Sequence, residues 1–198
     1  APVGEKAEEA SLLSKRGFGL RLGSLFGKDG GITVSGGEPL LQAEFVHTVF
    51  QMCHEEGLHT CLDTSGCLLT PAVKSLLSET DRVLLDIKYT TDEDYRRYVG
   101  CELEKPMAFL TYLNEQKIPT TLRQVIIPER NDSEENAKRL KKIADAHSCV
   151  DKIELLPFRK ICQTKYDMMK IPFPFGHLPE PARERMDALR SLLVGYGG

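Results

Sequence analysis

The chain has 198 residues, with 26 Lys and Arg against 29 Asp and Glu, a formal net charge of −3 and 41% hydrophobic residues. That length carries a hydrophobic core in one domain of ordinary size. The charge, with no basic block, excludes the electrostatic footprint of a nucleic-acid-binding protein, and no apolar run reaches the roughly 18 residues of a membrane span. Residues 1–10 are polar and acidic, unlike a signal peptide. Six scattered cysteines read as reduced structural thiols of a cytoplasmic protein, not as a disulfide framework.

Residues 1–30 match no regular pattern and are set apart from 31–198. Glu5–Leu13 could be helical, and Gly17–Gly31 is glycine-rich and loose. From residue 31 strand and helix alternate. Ile32–Val34 is a strand, followed by a helix from Pro39 to Glu56 with Leu41, Phe45, Val49 and Cys53 at four-residue intervals and Gly57 as its stop. Thr60–Asp63 is the next strand. Thr70 and Pro71 supply the cap and first position of a short helix with Val73, Leu76 and Leu77. Arg82–Lys88 is the third strand. Helical pieces at Asp92–Val99 and Pro106–Glu115 follow, with Gly100 between them. Pro119–Ile127 is the fourth strand, and Ser133 caps a helix bearing Ala137, Leu140 and Ala144. Val150–Leu156 is the fifth strand, residues 167–178 a loop, and Glu180–Val194 a last helix with Met186, Leu189 and Leu193. Repeated strand–helix units predict a parallel α/β sheet with right-handed crossovers, either an open barrel or doubly wound.

In such folds ligands sit at the carboxyl ends of the strands. The polar motifs lie there. Ser35-Gly36-Gly37-Glu38-Pro39-Leu40 follows the first strand. Paired glycines permit positive φ and leave the backbone bare, and a carboxylate at the start of the next helix can hold an ammonium. A plain glycine-rich turn is the alternative. In Val83–Lys88, alternation sets Val83, Leu85 and Ile87 on one face and Leu84, Asp86 and Lys88 on the other. An Asp and a Lys on one face of a buried strand are costly unless they pair with each other or bind something. Asp63-Thr64-Ser65-Gly66 ends its strand as an Asx turn or a ligand contact. Arg123 shares a face with Thr121 and Val125, and its guanidinium suits a carboxylate or caps the sheet rim. The five histidines show no metal-ligand spacing, and there is no P-loop and no Gly-x-Ser-x-Gly.

Several blocks carry a resemblance: Gly31 to Gln42 (GITVSGGEPLLQ), His59 to Gly66 (HTCLDTSG), Val83 to Lys88 (VLLDIK), Leu122 to Pro128 (LRQVIIP) and Lys152 to Phe158 (KIELLPF). Their order and spacing, over roughly residues 29–196, resemble the glycyl-radical-enzyme activating enzymes of the pyruvate formate-lyase-activating type, within the radical S-adenosylmethionine (SAM) superfamily. The resemblance implies an open parallel (β/α) barrel, here of about five β/α units and lacking its first strand. It implies SAM binding by Gly36, Gly37, Glu38, Asp63, Lys88 and Arg123, with Glu38 on the amino group. It also implies a monovalent cation near Asp63, Thr64 and Asp86. Where the family shows an aromatic residue and then a SAM-contacting histidine, this chain has Phe158-Arg159, and Cys162 replaces a usual glycine. No three of the six cysteines have the family's Cys-x3-Cys-x2-Cys spacing for a four-iron, four-sulfur (4Fe-4S) cluster, and the first thirty residues hold none.

The activity implied is reduction of SAM at that cluster, giving a 5′-deoxyadenosyl radical that takes hydrogen from a glycine of a partner such as pyruvate formate-lyase. On this reading the chain is a fragment without its cluster-binding part, inactive alone and unable to hold the cluster. Two rivals are another radical SAM enzyme, acting on ribonucleotide reductase or a small molecule, and a non-catalytic barrel remnant. A missing first strand would leave Ile32–Val34 as an unpaired edge open to self-association. Phe18, Leu20, Leu22, Leu25 and Phe26 are the candidates to cover it.

Overall fold

The computed structural model describes residues 30–196. The readings made above for residues 1–29 lie outside them. Five strands form one open sheet in the order β1-β2-β3-β4-β5: β1 Gly31–Val34, β2 His59–Thr64, β3 Arg82–Asp86, β4 Thr120–Ile126 and β5 Val150–Pro157. β1 pairs with β2 in parallel, Gly31 opposite His59, and β4 with β5 in parallel, Leu122 opposite Ile153. The helices are α1 Ala43–Glu55, α2 Pro71–Leu77, α3 Glu104–Gln116, α4 Glu134–Asp145, α5 Gln163–Met169 and α6 Arg183–Ser191. None is long and apolar enough to cross a membrane among the described residues. The alternation expected from the sequence is present, and the parallel α/β class with it. The described residues divide into two compact units, 30–64 with 70–83, and 65–69 with 84–196.

In the first unit, α1 packs on α2. Ala43, Val46, Phe50 and Cys53 of α1 are buried, as are Val73, Leu76 and Leu77 of α2. The expected four-residue stripe on α1 is corrected here: Leu41 and Phe45 are each 69% exposed. A strict four-residue spacing drifts about 40° around a helix at each step. The face that stays inward alternates three- and four-residue steps. The chain also enters α1 through a 3-10 turn, Pro39–Gln42, which offsets Leu41 further. Gly57, at φ +72°, ends α1 as expected. Thr70 caps α2 by accepting from the Val73 N–H at 3.3 Å, with Pro71 first in the helix.

The same unit holds a charged knot. His54 places Nδ1 3.0 Å from Glu79 Oε2 and Nε2 3.1 Å from Asp81 Oδ2, while Asp81 also accepts from the Thr60 N–H at 2.8 Å. Burial pulls the His54 pKa down, but the hydrogen bonds and charges of Asp81 and Glu79 outweigh it and raise it above the ordinary 6.5. Burial pushes the Asp81 carboxyl up, and bonds from Thr60 and His54 bring it below 3.8. The raised histidine stabilises fully below pH 6.5 and less as pH climbs through its folded value; the lowered Asp stabilises above pH 3.8 and less as pH falls through its own. The knot therefore contributes most between those limits. His54 and Asp81 are partly solvated, so the gain is on the order of 0.5 kcal/mol. Urea midpoints at pH 5.5 and 8.5 check this: His54→Gln is expected to lower stability at pH 5.5 and to flatten the decline toward pH 8.5.

The second unit buries Leu85 and Ile87, Phe109, Leu110 and Leu113 of α3, Leu122 and Ile126 of β4, Ala137, Leu140 and Ala144 of α4, and Met186 and Leu189 of α6. Ser133 caps α4 through the Asn136 N–H at 3.2 Å. The stretch expected as a helix at Asp92–Val99 is a single helical turn, Asp92–Asp94, running into a π-helical turn, Tyr95–Val99. Gly100, left-handed at φ +81°, closes it by donating to Tyr95 O. The expected loop from residue 167 begins later, because α5 runs to Met169. That helix buries no residue, and its Met168 and Met169 are exposed, so it carries no periodic signal. The loop after it is held by rings: Phe173 and Phe175 lie 6.2 and 6.4 Å from Phe158, and Phe175 lies 6.5 Å from Tyr98.

Candidate active site

Each unit carries one group of the residues singled out in the sequence. In the first, β1 ends at Val34 and the chain turns through Gly36 at φ +94° and Gly37 at φ +21°. Among the described residues a Cβ built on either glycine meets nothing within 4 Å, so the turn leaves bare backbone uncovered by them. Positive φ is what these positions require of glycine. Glu38 follows in extended geometry as the cap of the 3-10 turn, with Pro39 at its first position. Its Oε1 accepts from the Leu40 N–H at 3.2 Å and from Thr64 Oγ1 at 2.6 Å. Thr64 is buried at the end of β2. The carboxylate is thereby fixed from two elements. Asp63, beside Thr64, is half-buried on the face opposite Leu62.

In the second unit, β3 alternates as its sequence implies, with Leu85 and Ile87 fully buried and Asp86 and Lys88 half-buried. Asp86 Oδ2 accepts from Lys88 Nζ at 2.5 Å. Its Oδ1 accepts from Arg123 Nε at 3.0 Å, with Arg123 Nη2 at 2.9 Å. The internal Asp86–Lys88 pairing left open by the sequence is present, and Arg123 of β4 joins it. Asp86 thus meets two cations, one from its own strand end and one from β4. Side-chain exposure of 16% for Arg123 and 20% for Asp86 strengthens their attraction relative to open water. Such a cluster can take a ligand carboxylate.

Two residues missed in the sequence hold Lys88 in place. The Lys88 N–H donates to Tyr95 Oη at 3.1 Å, and Asn131 Nδ2 donates to Lys88 O at 3.2 Å. Asn131 also donates to Val125 O at 2.8 Å and accepts from the Ile127 N–H at 2.7 Å. Tyr95 is buried, and burial foremost raises its phenol pKa, so the hydroxyl stays protonated at neutral pH. Asn131 sits in a loop of ordinary turn composition, Pro128-Glu129-Arg130-Asn131-Asp132, and only its burial reveals its role. Phe158 follows β5 and donates its N–H to Ile126 O at 3.0 Å; its ring belongs to the aromatic group, while Arg159 is exposed. Among the described residues no three His, Cys, Asp or Glu side chains converge as a metal centre needs.

Residues 21–140 match the Radical SAM superfamily. Pyruvate formate-lyase 1-activating enzyme of Escherichia coli is 36% identical over 170 residues, which cover 85% of this chain and 69% of that enzyme. Pyruvate formate-lyase-activating enzyme of Clostridium pasteurianum is 34% identical over 164 residues, covering 83% and 68%. The crystal structure of a domain of pyruvate-formate lyase-activating enzyme from Bacteroides vulgatus agrees in fold, with a TM-score of 0.70 over 85% of this chain and 98% of that one at 21% identity. On fold, motif order and sequence together, the chain belongs to the radical SAM superfamily, among the pyruvate formate-lyase-activating enzymes.

Proposed function

We propose that this chain binds SAM and serves in generating a glycyl radical on a partner enzyme, pyruvate formate-lyase being the partner that the relatives' names give. The observation that carries this is the bare Gly36-Gly37 turn leading into a Glu38 carboxylate fixed by Thr64 and Leu40. SAM ends in an ammonium and a carboxylate, and the donor set present fits both. Glu38 would hold the ammonium beside the glycine backbone. Lys88 and Arg123, organised by Asp86, would favour the carboxylate, and Asp63 would orient the rest. Two cations already face Asp86, which supports an organising role for it. SAM, together with a 4Fe-4S cluster, supplies the radical chemistry when bound. The cluster ligands are not among the described residues, so the part assigned to this chain is binding and orientation.

We treat residues 31–198 as one functional domain, since the superfamily match runs across both units. A cytoplasmic location is supported by free thiols at Cys53, Cys67, Cys101 and Cys149. Self-association through β1 is supported by its place at the end of the strand order among the described residues and by its lack of proline or lysine. Calorimetry with SAM tests the binding assignment. Glu38→Gln keeps an oxygen for Thr64 and Leu40 but removes the charge, and is expected to weaken SAM roughly 10- to 100-fold with the fold intact. Unchanged affinity would place SAM elsewhere.

A further inference from the structure

Two cysteines that the sequence separates by 34 positions meet in the second unit: Cys67 Sγ and Cys101 Sγ lie 3.6 Å apart. Both are half-buried and both are free thiols. Each follows a left-handed glycine, Gly66 at φ +67° and Gly100 at φ +81°. Gly66 is fixed by packing, because a Cβ there would come within 2.7 Å of Leu85 Cδ1. Gly100 is fixed by closing the π-helical turn onto Tyr95 O. Cys67 Sγ is held further by Ser65 O at 3.8 Å. Two unrelated local constraints thus aim two thiols at one point. Neither thiol has a part in the assigned ligand site.

We propose that Cys67 and Cys101 form a site of thiol–disulfide exchange, closing into an intramolecular bridge when a low-molecular-weight disulfide is the oxidant. One protein thiolate attacks a sulfur of the small disulfide, forming a mixed disulfide and releasing one thiol. The second cysteine then attacks the protein-side sulfur, closing the Cys67–Cys101 bond and releasing the other thiol. The protein pair is oxidised by two electrons and the small disulfide is reduced to two thiols. The bridge needs sulfurs about 2.05 Å apart, so the pair starts little more than 1.5 Å from bonding. Burial, then the contact with Cys67, pushes the Cys101 thiol up to about 11, which keeps it protonated at neutral pH. The bridge would tie the segment after β2 to the residue after the π-helical turn. Gly100, next to Cys101, donates to the carbonyl of Tyr95, whose hydroxyl accepts from the Lys88 N–H. Closure would therefore stiffen the support of Lys88.

The full chain is incubated with oxidised glutathione at pH 8.5, alkylated while folded, then digested and weighed. The expected result is one crosslinked peptide pair containing Cys67 and Cys101, lighter by two hydrogens, and a rise in Tm of about 5–10 °C. Dithiothreitol should reverse both. Cys101→Ser should trap glutathione on Cys67 and abolish the rise. Stable glutathione adducts on both cysteines of the unaltered chain, or a bridge from Cys67 to another cysteine, would overturn the proposal.

Discussion

Gly66→Ala is expected to destabilise the protein by about 2–4 kcal/mol, lowering Tm by roughly 5–10 °C. Two costs coincide at this position. The backbone is left-handed at φ +67°, where a Cβ is unfavourable. The added methyl would also stand 2.7 Å from Leu85 Cδ1 and 3.2 Å from Phe109 Cδ1, both in fully buried side chains. Neither neighbour has room to move, because packed interiors yield little. Gly36→Ala is the matched control. Its φ is +94°, but nothing lies within 4 Å, so only the backbone cost of about 1–2 kcal/mol applies. Calorimetric melting of the two variants separates packing from backbone strain, and equal losses would refute the packing contribution at Gly66.

Asn131→Ala is expected to cost about 3 kcal/mol and to loosen the backbone at Lys88. Asn131 is 2% exposed and satisfies three backbone groups at once, the Ile127 N–H and the carbonyls of Val125 and Lys88. Truncation leaves those groups buried without this partner, at about 1 kcal/mol or more each. The direct readout is hydrogen exchange: the Ile127 amide is expected to lose protection by about 100-fold, while amides of α1 in the other unit keep theirs. Unchanged protection at Ile127 would refute the assignment. SAM affinity should fall as well, because the Lys88 backbone would then keep its bond to Tyr95 but lose the one from Asn131.

The elements most legible in the sequence were those with local causes. Thr70 and Ser133 cap their helices, Pro71 and Pro39 begin theirs, and Gly57 ends α1, each through a contact within four residues. The alternation in β3 sorted Val83, Leu85 and Ile87 from Asp86 and Lys88 because a strand has a period of two. The α1 stripe failed because apolar Leu41 and Phe45 are spaced plausibly but face outward, and spacing alone does not register a preceding 3-10 turn. Helix α5 was illegible for the opposite reason, having no buried face to pattern. In the site, Glu38 and Asp86 stood out by residue type and position. Their partners did not: Thr64 reaches Glu38 across 26 positions and Arg123 reaches Asp86 across 37. Tyr95 and Asn131 were hidden because a phenol and an amide in turns are ordinary until burial shows what they bond.

The strand order also bears on how the chain acquires its structure. Among the described residues every strand's neighbour in the sheet is the next strand in the chain, and in β1 with β2 and β4 with β5 the paired positions are about thirty residues apart, as in Gly31 with His59 or Thr120 with Val150. No pairing among these strands waits for a distant segment, so loop-closure entropy is met in modest steps. Parallel sheets are usually slow to form because their partners are remote. Here the sheet can grow one strand at a time in the direction of synthesis, each new crossover adding a helix to cover the strand before it. A nascent chain on the ribosome would need only two strands and their helix to begin burying apolar surface, well before β5 is made.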